Sequence, residues 1–159
     1  MASAKEAIAA LKRRATKSTL DGMARYAIPS DKAWGVAMRD IQDAADVLLP
    51  VHARTKGRDG YVSLEVTMFA GEDEASILKE AHSLWTRVAR PNLMIKVPAV
   101  PAGIAAAQKL VADGINVNVT LLFSVERYER VIAAYFAGLQ QRLVRNMPLD
   151  RLASVASFF

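Results

Sequence analysis

A lone lysine stands in an otherwise apolar run, Asn92-Leu93-Met94-Ile95-Lys96-Val97-Pro98-Ala99. Leu93, Ile95 and Val97 alternate with Met94 and Lys96, so a strand here turns Lys96 to the face opposite the aliphatic trio. Strands of a parallel sheet are usually apolar on both faces, and a charged amine there carries a desolvation cost. Burial lowers a lysine's pKa and frees the amine to attack carbonyls. The plainer reading is an edge-strand lysine that reaches water along its stem. The neighbouring segments bear on the choice.

Other polar residues recur at comparable positions. Tyr61, Ser63 and Glu65 share one face of a strand-like run. Asn116, Asn118 and Thr120 share one face of the next polar-alternating run, opposite Val117, Val119 and Leu121. In the last run Ser157 lies with Val155 and Ala153. Buried polar groups without partners are costly, so Glu65, Lys96, Asn118, Thr120 and Ser157 in successive strands read as one shared site rather than as isolated structural residues.

Positioning them requires strands alternating with helices. After the turn signal Asp59-Gly60, a strand is expected over residues 61–66. A helix over 73–88 follows, with Ile77, Leu78, Ala81, Leu84, Trp85 and Val88 on one face, Asp73 as N-cap and acidic residues at its start. After the Lys96 strand, Pro101 opens a helix and Gly114 closes it. A third strand is expected over 115–123, then a helix from Ser124 to about residue 145, then a fourth strand over 152–158. Strands joined by crossover helices make a parallel α/β sheet. Helices cover the outside of such a sheet, so repeated polar faces suggest the lined interior of a barrel, near the strands' C-terminal ends.

Composition sets the outer limits. The 159 residues are 52% hydrophobic, enough for one domain with a sizeable core. There is no cysteine, so neither a disulfide framework nor a thiolate metal site is available, and a cytoplasmic location is expected. No apolar stretch reaches the roughly eighteen residues that span a bilayer, and Lys12-Arg13-Arg14 interrupts the only apolar stretch near the N-terminus. His52 and His82 are far apart with no acidic cluster, so no metal site is expected. Residues 1–32 hold Lys5, Lys12, Arg13, Arg14, Lys17, Arg25 and Lys32 against Glu6, Asp21 and Asp31, which accounts for +4 of the net +5.

Gly60–Val66, Pro91–Ala99, Gly114–Ser124 and Ala153–Phe159 together resemble transaldolase, in its long-chain bacterial branch. The resemblance spans roughly Asp40 to Phe159 in order and spacing. It implies a partial (β/α)8 TIM barrel of about four parallel strands with crossover helices, preceded by a short helical segment. It also implies transfer of a three-carbon dihydroxyacetone unit between sugar phosphates of the pentose phosphate pathway. Sedoheptulose 7-phosphate, glyceraldehyde 3-phosphate, fructose 6-phosphate and erythrose 4-phosphate are the partners it names. By that resemblance Lys96 is the Schiff-base lysine, Glu65 and Thr120 handle a catalytic water and proton transfers, and Asn118 and Ser157 hold substrate hydroxyls. The chemistry needs no metal or organic cofactor: a protonated imine is itself the electron sink.

By the resemblance the family's first two strands, with an aspartate and an asparagine, should precede Glu65 and its later strands, with a phosphate-gripping arginine, should follow Ser157; neither set is read in this sequence, where about four of eight barrel strands are expected. A whole barrel needs roughly 250 residues, so weak turnover and self-association through exposed sheet edges are expected of this chain. Residues up to about 40, including Ala15-Thr16-Lys17 and Asp21–Val36, resemble instead the opening of the DNA alkylation repair family of helical-repeat proteins. The expected division is a basic helical segment over 1–42, from a different gene, and the central part of a transaldolase barrel over 43–159. The basic front reads as a solvated helix face, a remnant DNA-contacting surface or a targeting peptide; nucleic acid and membrane are not expected as partners. The alternatives to the enzyme are a non-functional fusion product and a DNA-binding remnant.

Overall fold

The computed structural model describes residues 31–67 and 73–159, with side chains from residue 38 onward. The basic front up to residue 30 lies outside the described residues. Four helices and four strands alternate among the described ones: α1 (Asp31–Arg54), β1 (Val62–Glu65), α2 (Glu74–Val88), β2 (Leu93–Pro98), α3 (Pro101–Asp113), β3 (Val117–Leu122), α4 (Val125–Val144) and β4 (Ser154–Phe158). The strands lie side by side in chain order. β2 pairs with β3, and β3 with β4, in parallel. Val62 donates to the Asn92 carbonyl and Val66 to that of Lys96, equal steps in the same direction, so β1 runs parallel as well. Each connection is a helical crossover, as parallel neighbours require.

The chain divides into two compact units. Among the described residues, one comprises 31–62 together with Val88–Asn92. Here α1 runs unbroken through the junction expected near residues 38–42 and carries Pro50 inside it. Its Asp46 carboxylate receives both Nε and Nη2 of Arg90, which holds that carboxyl below its usual range. Asn92 is fully buried and donates to the carbonyls of Ala45 at 2.9 Å and Gly60 at 2.8 Å. A buried amide with two backbone acceptors fixes a loop against a helix, because losing it would strand those carbonyls.

The second unit, Ser63–Arg87 with Leu93–Phe159, holds the sheet's polar face and the helices that cover its other side. Leu93, Ile95 and Val97 of β2 and Val117 and Val119 of β3 are almost wholly buried. Each such side chain removed from water contributes roughly 1.5–3 kcal/mol. The helix ends follow their sequence signals. Asp73 accepts the Ser76 N–H at 2.8 Å, Ser124 accepts that of Arg127 at 3.3 Å, and Pro101 begins α3. Gly114 sits at φ 89° and returns its N–H to Leu110 and Val111, a left-handed cap that glycine adopts without steric cost.

Strand ends are shorter than expected, and both ends of β3 show a cause. The Ile115 N–H goes back to the Leu110 carbonyl, so that residue still closes α3 and β3 begins at Val117. At its other end Leu121 adopts φ +60°. There the pairing with β4 slips, Val119 facing Ala156 but Leu122 facing Phe158, so β3 carries one extra residue. This bulge turns Leu122 into the buried layer, where an uninterrupted alternation would have aimed Leu121.

Candidate active site

Register determines which side chains can meet. Lys96 stands opposite Asn118 and Pro98 opposite Thr120, while Asn118 stands opposite Val155. Partners in register project from the same face, and so do residues two apart. Lys96, Asn118 and Thr120 therefore share one face with Ser157, and Glu65 joins them from β1.

Two bonded groups cross this face. The Lys96 Nζ lies 3.3 Å from Glu65 Oε2. Farther along, the Ser157 hydroxyl donates to Asn118 Oδ1 at 2.8 Å, and Asn118 Nδ2 donates to Ser63 Oγ at 3.0 Å. The second bond joins β3 to β1 across β2. Two strand spacings amount to about 9.5 Å, so both side chains lean over β2 toward each other.

Thr120 behaves differently. It is fully buried, and its Oγ1 has no hydrogen-bond partner among the described residues. Its backbone carbonyl receives the Ala99 N–H at 2.8 Å, which seats it at the C-terminal end of β2. An orphaned buried hydroxyl costs about 1–3 kcal/mol, and a water or a substrate atom beside it would recover that cost.

Two expectations for Lys96 are corrected. It is not an edge-strand lysine, because β2 is flanked on both sides. Nor is it enclosed: 27% of its side chain is exposed and a carboxylate stands beside it. The sheet face that carries Lys96 is partly open to solvent here, so a polar layer replaces the apolar layer expected on both sides of a parallel strand. The arrangement offers an accessible amine, a neighbouring carboxylate, an amide held at both ends and a desolvated hydroxyl. Such a set can form an imine with a carbonyl, relay protons and grip hydroxyls.

Sequence reasoning assigned five residues to the site; it set Ser63 on the same face as Glu65 but gave it no part in the site. It also passed over the bulge at Leu121, for which no glycine gave a signal. Among the described residues no cluster of three or more His, Cys, Asp or Glu could hold a metal ion. No described helix is long and apolar enough to cross a membrane.

Comparison with known proteins adds an independent line. The family described as transaldolase/fructose-6-phosphate aldolase matches residues 2–159. A transaldolase of Trichodesmium erythraeum is 47% identical over 124 residues, covering 78% of this chain and 33% of that protein. One from Saccharopolyspora erythraea is 46% identical over 136 residues, 86% of this chain and 37% of its own. One from Thermobifida fusca is 51% identical over 120 residues, 76% and 33% respectively. The chain thus spans about a third of the length of the curated relatives it matches. The family match begins at residue 2, and the likeness of the front to alkylation repair proteins finds no support.

Proposed function

The chain belongs to the transaldolase/fructose-6-phosphate aldolase family, and on that footing we propose that it carries the Schiff-base centre of a transaldolase, with Lys96 as the covalent lysine. The observation that carries this reading is the Lys96 amine on an internal strand, 3.3 Å from Glu65 and on one face with Asn118, Thr120 and Ser157. The Lys96 amine adds to the ketone carbon of a donor sugar phosphate and water leaves, giving a protonated imine. The donor's C4 hydroxyl then gives its proton to a base and the C3–C4 bond breaks. Its electron pair moves into the imine to form an enamine, and the shortened aldehyde departs. The enamine attacks the aldehyde carbon of an acceptor, and water releases the lengthened ketose.

Glu65 and Thr120 are the groups assigned to the water and the proton transfers. Asn118 and Ser157 are assigned to the hydroxyls of the three-carbon unit. Sedoheptulose 7-phosphate and fructose 6-phosphate serve as donors in this reading; glyceraldehyde 3-phosphate and erythrose 4-phosphate are the acceptors. The setting is the cytoplasmic pentose phosphate pathway, and association between copies through the sheet edge belongs to the same reading.

The test is reductive trapping. Borohydride added with fructose 6-phosphate should leave a reduced three-carbon adduct on Lys96, located by peptide mass. Lys96→Met retains bulk and removes the amine, so no adduct should form. An adduct on another lysine, or trapping that survives Lys96→Met, would overturn the assignment.

A further inference from the structure

We propose that Ser63 is a positioning residue for this site, fixing the Asn118 amide so that Asn118 can grip a hydroxyl of the carbon unit held on Lys96. The proposal rests on the Schiff-base reading above. Asn118 has one amide and two tethers: Ser157 donates to its oxygen at 2.8 Å, and its nitrogen donates to Ser63 at 3.0 Å. Held from β4 on one side and β1 on the other, the amide plane has little freedom to rotate. One N–H of Nδ2 and one lone pair of Oδ1 remain available for a ligand.

The location matters as much as the bonds. Asn118 stands in register with Lys96, and the Val66-to-Lys96 bond sets Glu65 beside Lys96, hence Ser63 beside Met94. The Asn118–Ser63 bond therefore crosses β2 between Met94 and Lys96, on the N-terminal side of the amine. A carbon unit attached to Lys96 is bounded there by the bridge and on the β1 side by Glu65. Ser63 itself is exposed. Removing its hydroxyl deletes that tether without opening the core, and the amide of Asn118 is then held from Ser157 alone and can swing about that single bond. A positioned group aids binding because its ordering cost is met before the ligand arrives.

The experiment compares two ketones in the full chain. Lys96 adducts are trapped with borohydride at graded concentrations of dihydroxyacetone, which carries hydroxyls, and of acetone, which carries none. Ser63→Ala should raise the half-saturating concentration of dihydroxyacetone about tenfold, the equivalent of one lost hydrogen bond, and leave that of acetone unchanged. Ser63→Thr keeps a hydroxyl and should restore most of the preference. Asn118→Ala should lose as much as Ser63→Ala, and the double variant should lose no more than Asn118→Ala, since the tether acts only through that amide.

Equal weakening for both ketones, additive losses in the double variant, or a Ser63→Thr chain as poor as Ser63→Ala would each overturn the role of Ser63 while leaving Lys96 in place. Absence of any Lys96 adduct in the parent chain with either ketone would overturn the Schiff-base reading, and the positioning role with it.

Discussion

At the scale of single residues, Thr120 separates what the fold needs from what the proposed chemistry needs. Its hydroxyl is buried with no partner among the described residues, although Val would fill nearly the same space. Thr120→Val should therefore raise stability by about 1 kcal/mol, read as a higher urea midpoint, because the unpaired group is gone. The same change should slow transfer by roughly a hundredfold if the hydroxyl relays a proton, read in a coupled assay or as slower adduct formation. Loss of stability, or unchanged kinetics, would contradict the assignment. The residue types were legible in the sequence because strand alternation places Lys96, Asn118 and Thr120 on one face whatever the rest of the fold does. The reversed backbone at Leu121 was not, since φ +60° on a leucine is disfavoured locally and is imposed by tertiary packing.

Among elements, one close constraint lies where α3 meets α4. A Cβ on Gly138 would come within 2.6 Å of the Gln108 carbonyl oxygen and 2.8 Å of Val111 Cβ. Two effects oppose each other on replacing it. Alanine favours a helix over glycine by about 1 kcal/mol, whereas the clash involves backbone that cannot swing aside. The clash wins, and Gly138→Ala should destabilise the chain by about 1–2 kcal/mol net, seen as a lower thermal midpoint. A higher midpoint would mean that the helices separate freely. Close approach of this kind was not legible, because an isolated glycine inside a helical pattern does not name its neighbour. The caps at Asp73, Ser124 and Gly114 were, since each depends on only a few adjacent residues. Strand ends strayed where a helix cap or a bulge claimed the hydrogen bond that would have extended the ladder. The burial of Lys96 was overestimated because burial depends on which face of the sheet is covered, and that is set by elements distant in the chain.

At the largest scale, the sheet order β1-β2-β3-β4 was readable from the alternation of strands and crossover helices, and among the described strands β4 stands at one end of it. Beside it lies an open groove of about 380 Å³, lined by Tyr128, Ile132 and Phe136 of α4 and by Val155 of β4. Phe136 is 62% exposed and Phe159 75%. Apolar side chains next to unpaired strand N–H and carbonyl groups form a surface that pairs with other chains. A second copy presents the same edge and the same groove, so a two-fold pairing of β4 with β4 would satisfy the backbone and cover both grooves. Sedimentation velocity should accordingly show a dimer that grows with protein concentration. Phe136→Lys, which puts a charge in the groove without touching the Lys96 face, should shift the population to monomer, as should Val155→Lys on the edge strand. Adduct formation on Lys96 should persist in the Phe136→Lys monomer, because all groups of the proposed site come from one chain. A parent chain that stays monomeric at every concentration would overturn the pairing, and a monomeric variant that loses the adduct would mean that association also shapes the site.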